Sequence, residues 1–262
     1  MDTPRRSSSG IGLAIATVIA VIAAVVFNTL FNRFPPGGQS VGEIANTVLS
    51  GVLITPANYA FAIWGIIYLG LFAYAVYQFH PQRRREPDIQ RVNWLLILAC
   101  VAQTVWILLF TLQQFGWSIL AMAVLLLALV GSYTALNIGR RRVSRQRRWM
   151  AYIPFSLYLG WISVATIVNV ASALYASGWG GWGVSSTTWT GVMIGVAALV
   201  GAAVIYLHRD VAFTLVFVWA FVAIAVRQSD IPAVRWAAIA AAAGLLIWLA
   251  VASFILPKPA RS

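Results

Sequence analysis

Long stretches free of charge alternate with short polar segments along the whole chain. Eight such stretches can be marked: Ile11 to Phe31, Ala57 to Phe79, Val92 to Gln113, Trp117 to Asn137, Met150 to Ala173, Thr188 to Leu207, Val211 to Val226 and Val234 to Leu256. A helix that crosses a bilayer takes about 20 mainly apolar residues. Seven of the stretches reach that length, and Val211 to Val226 falls just under it. The pattern predicts an all-α, polytopic transmembrane helix bundle of about eight spans. Residues 1–176 would carry the first five spans and residues 177–262 the last three. The first span follows Arg5 and Arg6 as a secretory signal would. It runs too long and has no small-residue cleavage site before Asn32, so it reads as an uncleaved anchor.

The first outer connection has a pattern of its own. Ser40 followed by Glu43 forms the sequence signature of a capping box, and Val41, Ile44, Val48 and Val52 recur at helical spacing. A short amphipathic helix near 40–53 is expected to lie across the bundle end, either as a cover over a pocket or as a plain interfacial helix. Pro35, Pro36, Gly37 and Gly38 separate it from the first span, and Thr55 with Pro56 leads into the second.

Composition agrees with the pattern: 61% of the 262 residues are hydrophobic and 9% are charged, against about half and a quarter in soluble domains. The formal charge is +12, yet the cations sit in short connections and no basic domain exists to hold nucleic acid. Positive residues gather on the cytoplasmic side of short loops. With the N-terminus inside, only Arg33, Arg227 and Arg235 of the 18 cationic residues fall outside. Both termini are therefore expected in the cytoplasm, with the inner arginines against anionic lipid headgroups.

Little in the sequence supports catalysis or metal binding. The acidic residues Asp2, Glu43, Glu86, Asp88, Asp210 and Asp230 lie outside the spans or at their ends, which disfavours proton pumping and carboxylate chemistry. His80 and His208 lack a second ligand at metal spacing, and Cys100 is the single cysteine. Arg209 beside Asp210, and Arg227 three before Asp230, suggest local ion pairs. Gly178 to Gly183 matches a dinucleotide pattern without its strand and helix, and its tryptophans suit a membrane interface. Gly191 and Gly195 form a G-x-x-x-G that would allow close helix approach within the bundle or in a homodimer.

Aromatic and amide residues do fall on particular helix faces. Phe61, Trp64, Tyr68 and Phe72 line one face of the second span, with Asn58 near its outer end. Gln103, Trp106 and Phe110 form a stripe on the third, and Trp161, Ala165 and Asn169 form one on the fifth. An amide inside a bilayer must be hydrogen-bonded to a helix, a water or a ligand. Gln103 and Asn169 are therefore either glue for the bundle or contacts for a ligand.

On these stripes the sequence resembles the tryptophan-rich sensory protein family, the bacterial relatives of the translocator protein. Pro56, Trp64 and Tyr68 fit the family's second helix. Gln103, Trp106 and Phe110 fit its third with glutamine for asparagine, and Trp161, Ala165 and Asn169 fit its fifth. Leu157 stands where the family has a proline, Ala60 where it has a phenylalanine, and its loop tryptophan and paired prolines are missing between Gly42 and Thr55. The family is a five-helix bundle, so the resemblance covers roughly Ile11 to Ala173. It implies a bacterial inner-membrane protein with a loop-covered pocket for a tetrapyrrole such as protoporphyrin or haem, or for a sterol, with no required cofactor. The expected walls are Trp64, Tyr68, Trp106, Phe110, Trp161 and Ala165, with Asn58, Gln103 and Asn169 as polar contacts. Stacked indoles and phenols suit a flat hydrophobic ligand. A structural or regulatory subunit of a larger complex and a small-solute transporter are the other readings.

Overall fold

A computed structural model describes residues 10–255; Asp2, Arg5, Arg6, Lys258 and Arg261 lie outside them. The described residues hold helices and no strand: α1 (Ile11–Arg33), α2 (Val41–Asn46), α3 (Asn58–Gln78), α4 (Pro87–Thr111), α5 (Phe115–Ala135), α6 (Arg145–Ala176), α7 (Ser186–His208), α8 (Val211–Arg227) and α9 (Pro232–Ile255), with single 3-10 turns at Arg83–Arg85 and Gly181–Gly183. Seven are long and apolar enough to cross a membrane, and α8, at 17 residues, is the short one. That is the division expected from the hydrophobic runs.

The long helices alternate in direction, and side-chain ties fix which ends meet. At the arginine-rich end Arg147 of α6 pairs with Glu86 at 2.6 Å and with Asp88, both before or within the first turn of α4. Pro87 starts that helix at a position where a missing N–H costs nothing. Pro154 cannot donate back along α6, and the helix widens into a π turn over Arg148–Tyr152 just ahead of it.

Helices α1, α3, α4, α5 and α6 make one bundle, in which α4 packs against α5 and α1, and α5 against α6. The last three helices form a second group attached through α8 to α6. Gly160 makes that approach close: a Cβ there would stand 3.1 Å from Val216 and 3.2 Å from the Phe213 carbonyl. Phe213, Phe217 and Phe221 are completely buried along the seam.

Two local ion pairs read from the sequence are replaced by longer-range bonds. Asp210 does not pair with Arg209. Its Oδ2 accepts from Tyr133 Oη of α5 at 2.9 Å and Ser156 Oγ of α6 at 2.5 Å, while Oδ1 caps the Phe213 N–H at 3.1 Å. Arg227 does not pair with Asp230 but reaches Ala45 and Asn46, at the end of α2. The G-x-x-x-G also differs from a packed motif, since no atom lies within 4 Å of a Cβ at Gly191 or Gly195. The close approach within this group is at Gly201, against Leu245 of α9.

Candidate functional site

The cover over the bundle end begins at Gly37, where a side chain would run into the Thr111 carbonyl at 1.9 Å. Ser40 then starts α2 with the expected capping box. Its hydroxyl accepts from the Glu43 N–H at 3.3 Å, and the Glu43 carboxylate accepts from the Ser40 N–H at 2.6 Å. That second bond favours the ionised carboxylate and lowers the Glu43 pKa. The helix is shorter than its hydrophobic spacing suggested: Thr47 departs from helical backbone angles (φ −111°, ψ −76°) and the Leu49 N–H reaches back five residues to the Ile44 carbonyl, so the chain turns after Asn46. In consequence Leu49, and not Val48, is buried. Val41, Ala45 and Leu49 form the underside of a lid.

Beneath the lid lies an apolar chamber of about 60 Å³. Pro56 delays α3, so that its first turn is a 3-10 turn over Asn58–Ala62 that sets Phe61 and Trp64 at the chamber mouth. Trp106 and Phe110 come from α4; Trp161, Ala165 and Asn169 from α6; Met122 from α5. The rings brace one another. Phe61 meets Trp161 edge-on at 5.8 Å, and Trp106 lies 5.2 Å from Phe110.

Asn169 has a fixed orientation. Trp106 Nε1 can only donate, so the amide atom 3.2 Å from it is the oxygen. Ser118 Oγ approaches the same oxygen at 3.1 Å. Nδ2 is left buried at the chamber wall with no partner. An unpaired buried donor costs about 1–3 kcal/mol until an acceptor arrives.

A second chamber of about 340 Å³ adjoins the first and shares Val41, Phe61, Trp64 and Trp106 with it. Its other walls are mainly polar, with Asn28 and Asn32 from α1, Ser40 of the lid, and Asn58, completed by Gly42 and Ile107. Asn32 Nδ2 donates to the Asn28 carbonyl at 2.9 Å, which orients the pair. No lysine or arginine lines either chamber.

Of the nine residues expected at the site, Trp64, Trp106, Phe110, Trp161, Ala165 and Asn169 line the inner chamber and Asn58 the outer one. Tyr68 and Gln103 line neither. Gln103 is satisfied inside the bundle: its Nε2 donates to Tyr68 Oη at 2.8 Å and its Oε1 accepts from Tyr158. Tyr68 in turn stacks on Trp64 at 5.4 Å, so this network supports the wall from behind. Phe72 turns outward at 39% exposure. The sequence reading overlooked Asn28 and Asn32, although two amides four apart in an apolar span were a visible signal. It also gave no weight to Met122, and it read the segment near 40–53 as a cover or a plain interfacial helix without counting Val41, Ala45 or Leu49 among the site residues.

Fold and site together define an integral membrane helix bundle with a lidded, tryptophan-walled pocket. The chain belongs to the TSPO-like protein family, whose model matches residues 14–251. The match runs past Ala173, where the resemblance in the sequence ended, and takes in α7, α8 and most of α9. No curated protein and no solved structure matches the chain.

Proposed function

We propose that the protein binds a planar, hydrophobic ligand beneath the lid, as a sensor or carrier, and that the ligand is a tetrapyrrole. The observation that carries this reading is the convergence of Trp64, Trp106 and Trp161 on one chamber whose wall holds the unpartnered Asn169 Nδ2. Flat rings stack well on indoles, and Asn169 offers a donor to an acceptor on the ligand. The inner chamber is far smaller than a macrocycle. The ring would occupy the outer chamber, within the usual size of ligand sites, and press one edge inward as the lid shifts. Its carboxylates would meet the amides of Asn28, Asn32 and Asn58. Met122 is the one lining side chain of a kind that ligates haem iron, so metal-free protoporphyrin fits this wall better than haem.

Titrating protoporphyrin IX into the purified protein, followed by tryptophan fluorescence, tests the assignment. Trp64→Phe, Trp106→Phe and Trp161→Phe should each weaken binding. Unchanged affinity in all three would remove these residues from the site. The skewed arginine distribution supports a cytoplasmic location for both termini, against anionic headgroups, in a bacterial inner membrane. A second reading, a subunit docking through α7 onto a like chain or a larger complex, draws on the open face at Gly191 and Gly195. Crosslinking with native mass measurement would reveal it.

A further inference from the structure

The lid over the inner chamber is held by two kinds of force. One is apolar burial, with Val41, Ile44, Leu49, Val52 and Ile54 tucked against the bundle, and such contact is non-directional. The other is hydrogen bonding, and here the chain is lopsided. Within residues 39–56 the lid bonds to itself. Among the described residues, the side chains that reach it from elsewhere are Arg227 and Gln228, at the end of α8. Arg227 Nη1 donates to Asn46 Oδ1 at 2.7 Å and Nη2 to the Ala45 carbonyl at 2.8 Å, while Gln228 Nε2 donates to the Leu53 carbonyl at 2.8 Å.

Helix α8 also grips the segment that follows the lid. The Ala57 N–H donates to the Ala223 carbonyl at 3.1 Å, and Trp219 Nε1 donates to the Ala60 carbonyl at 3.1 Å. The helix itself is a firm post, seated on α6 through Gly160 and its buried phenylalanines. It is therefore seated on the helix that carries Trp161 and Asn169. The planar fork of an arginine suits two acceptors at set positions in a way that a lysine does not.

We propose that the C-terminal end of α8 is the latch of the pocket: Arg227 and Gln228 are positioning residues that hold the lid shut and so set access to the chamber. In this role the helices beyond the five-helix bundle control entry without lining the site. The latch acts on the lid whatever ligand the chamber takes, and its test needs no ligand. A failure of the porphyrin titration is thus distinct from a failure here.

The test is thiol accessibility on the full chain in lipid nanodiscs. Ala45→Cys puts a thiol on the underside of the lid, and the native Cys100, buried in α4, serves as an internal reference for general loosening. A charged methanethiosulfonate is the reagent, with each site quantified by peptide mass. Arg227→Met should raise the modification rate at position 45 roughly tenfold or more, the equivalent of losing charged hydrogen bonds, and Gln228→Leu by a smaller factor. Arg235→Met should change nothing, since the Arg235 side chain donates to the nearby Ser229 carbonyl and lies over the adjacent Trp236 ring, away from the lid. An unchanged rate at position 45 in Arg227→Met overturns the proposal. So does a parallel rise at Cys100, or an equal rise in Arg235→Met. Hydrogen exchange of the lid amides in Arg227→Met alone repeats the test without an introduced thiol, and unaltered exchange there would count equally against the latch.

Discussion

Asp210→Ala would strip the joint between α5, α6 and α8 of its shared acceptor. Three donors lose their partner together: Tyr133 Oη, Ser156 Oγ and the Phe213 N–H. Loss of a helix N-cap costs about 0.5–2 kcal/mol. A buried hydroxyl left unpaired adds about 1–3 kcal/mol, which applies in full to Tyr133. Ser156 costs less, because a helical serine can turn to the carbonyl four residues back. The total is about 2–5 kcal/mol. Asp210→Asn keeps an oxygen for the cap and presents an amide that both hydroxyls can accept from, so its cost stays near one ordinary hydrogen bond, about 1 kcal/mol. The assay is the apparent melting temperature in detergent, read by fluorescence-detected size exclusion. At about 2–4 °C per kcal/mol for a chain of this size, Asp210→Ala should melt roughly 5–15 °C lower and Asp210→Asn within a few degrees of the parent. Ser156→Ala should fall between. An Asp210→Ala protein that melts with the parent would refute the account of this joint.

Asn169→Leu removes an unpartnered donor as well as the acceptor for Trp106, so the two stability effects offset. Melting should move little while protoporphyrin affinity drops roughly three- to tenfold, the worth of one hydrogen bond; a large melting shift with intact affinity would reassign Asn169 to packing. The capping box gives the lid an acid limit. Because the Glu43 pKa is lowered by folding, its contribution is complete above the ordinary carboxylate value and is lost as pH falls through the lowered one. A fluorophore on Val48 should gain mobility over that acid range, and Glu43→Gln should abolish the transition; a transition that survives the substitution has another origin.

The spans were legible because a bilayer demands length and freedom from charge, and both are local properties. Even α8 appeared as the short run it is. Helix rotation was less legible. In a bilayer the face toward lipid and the face toward protein are both apolar, so the stripe from Phe61 to Phe72 could not reveal that Phe72 turns out while Tyr74 is completely buried. The buried amides were recognised as needing partners, but the partners are distant in sequence. Tyr158, which settles Gln103, stands in an apolar run with nothing to mark it. The Arg227 contact with Asn46 spans 181 residues, and an acid three positions away made a nearer and mistaken choice. Lid residues were visible as a helix, but their inward face was set by the early turn at Thr47.

At 1.5 Å per residue, the 17 residues of α8 measure about 25 Å, less than the roughly 30 Å of a typical hydrocarbon core. The neighbouring helices leave only one of its stripes, Val211, Leu215, Trp219, Val222 and Val226, facing outward. Its length therefore answers to the distance between two fixtures, the carboxylate joint at its start and the loop at its finish. It behaves as a ruler. A residue inserted at its middle would swing the terminal guanidinium about 100° around the axis, so register along this one helix decides whether the far end meets its mark.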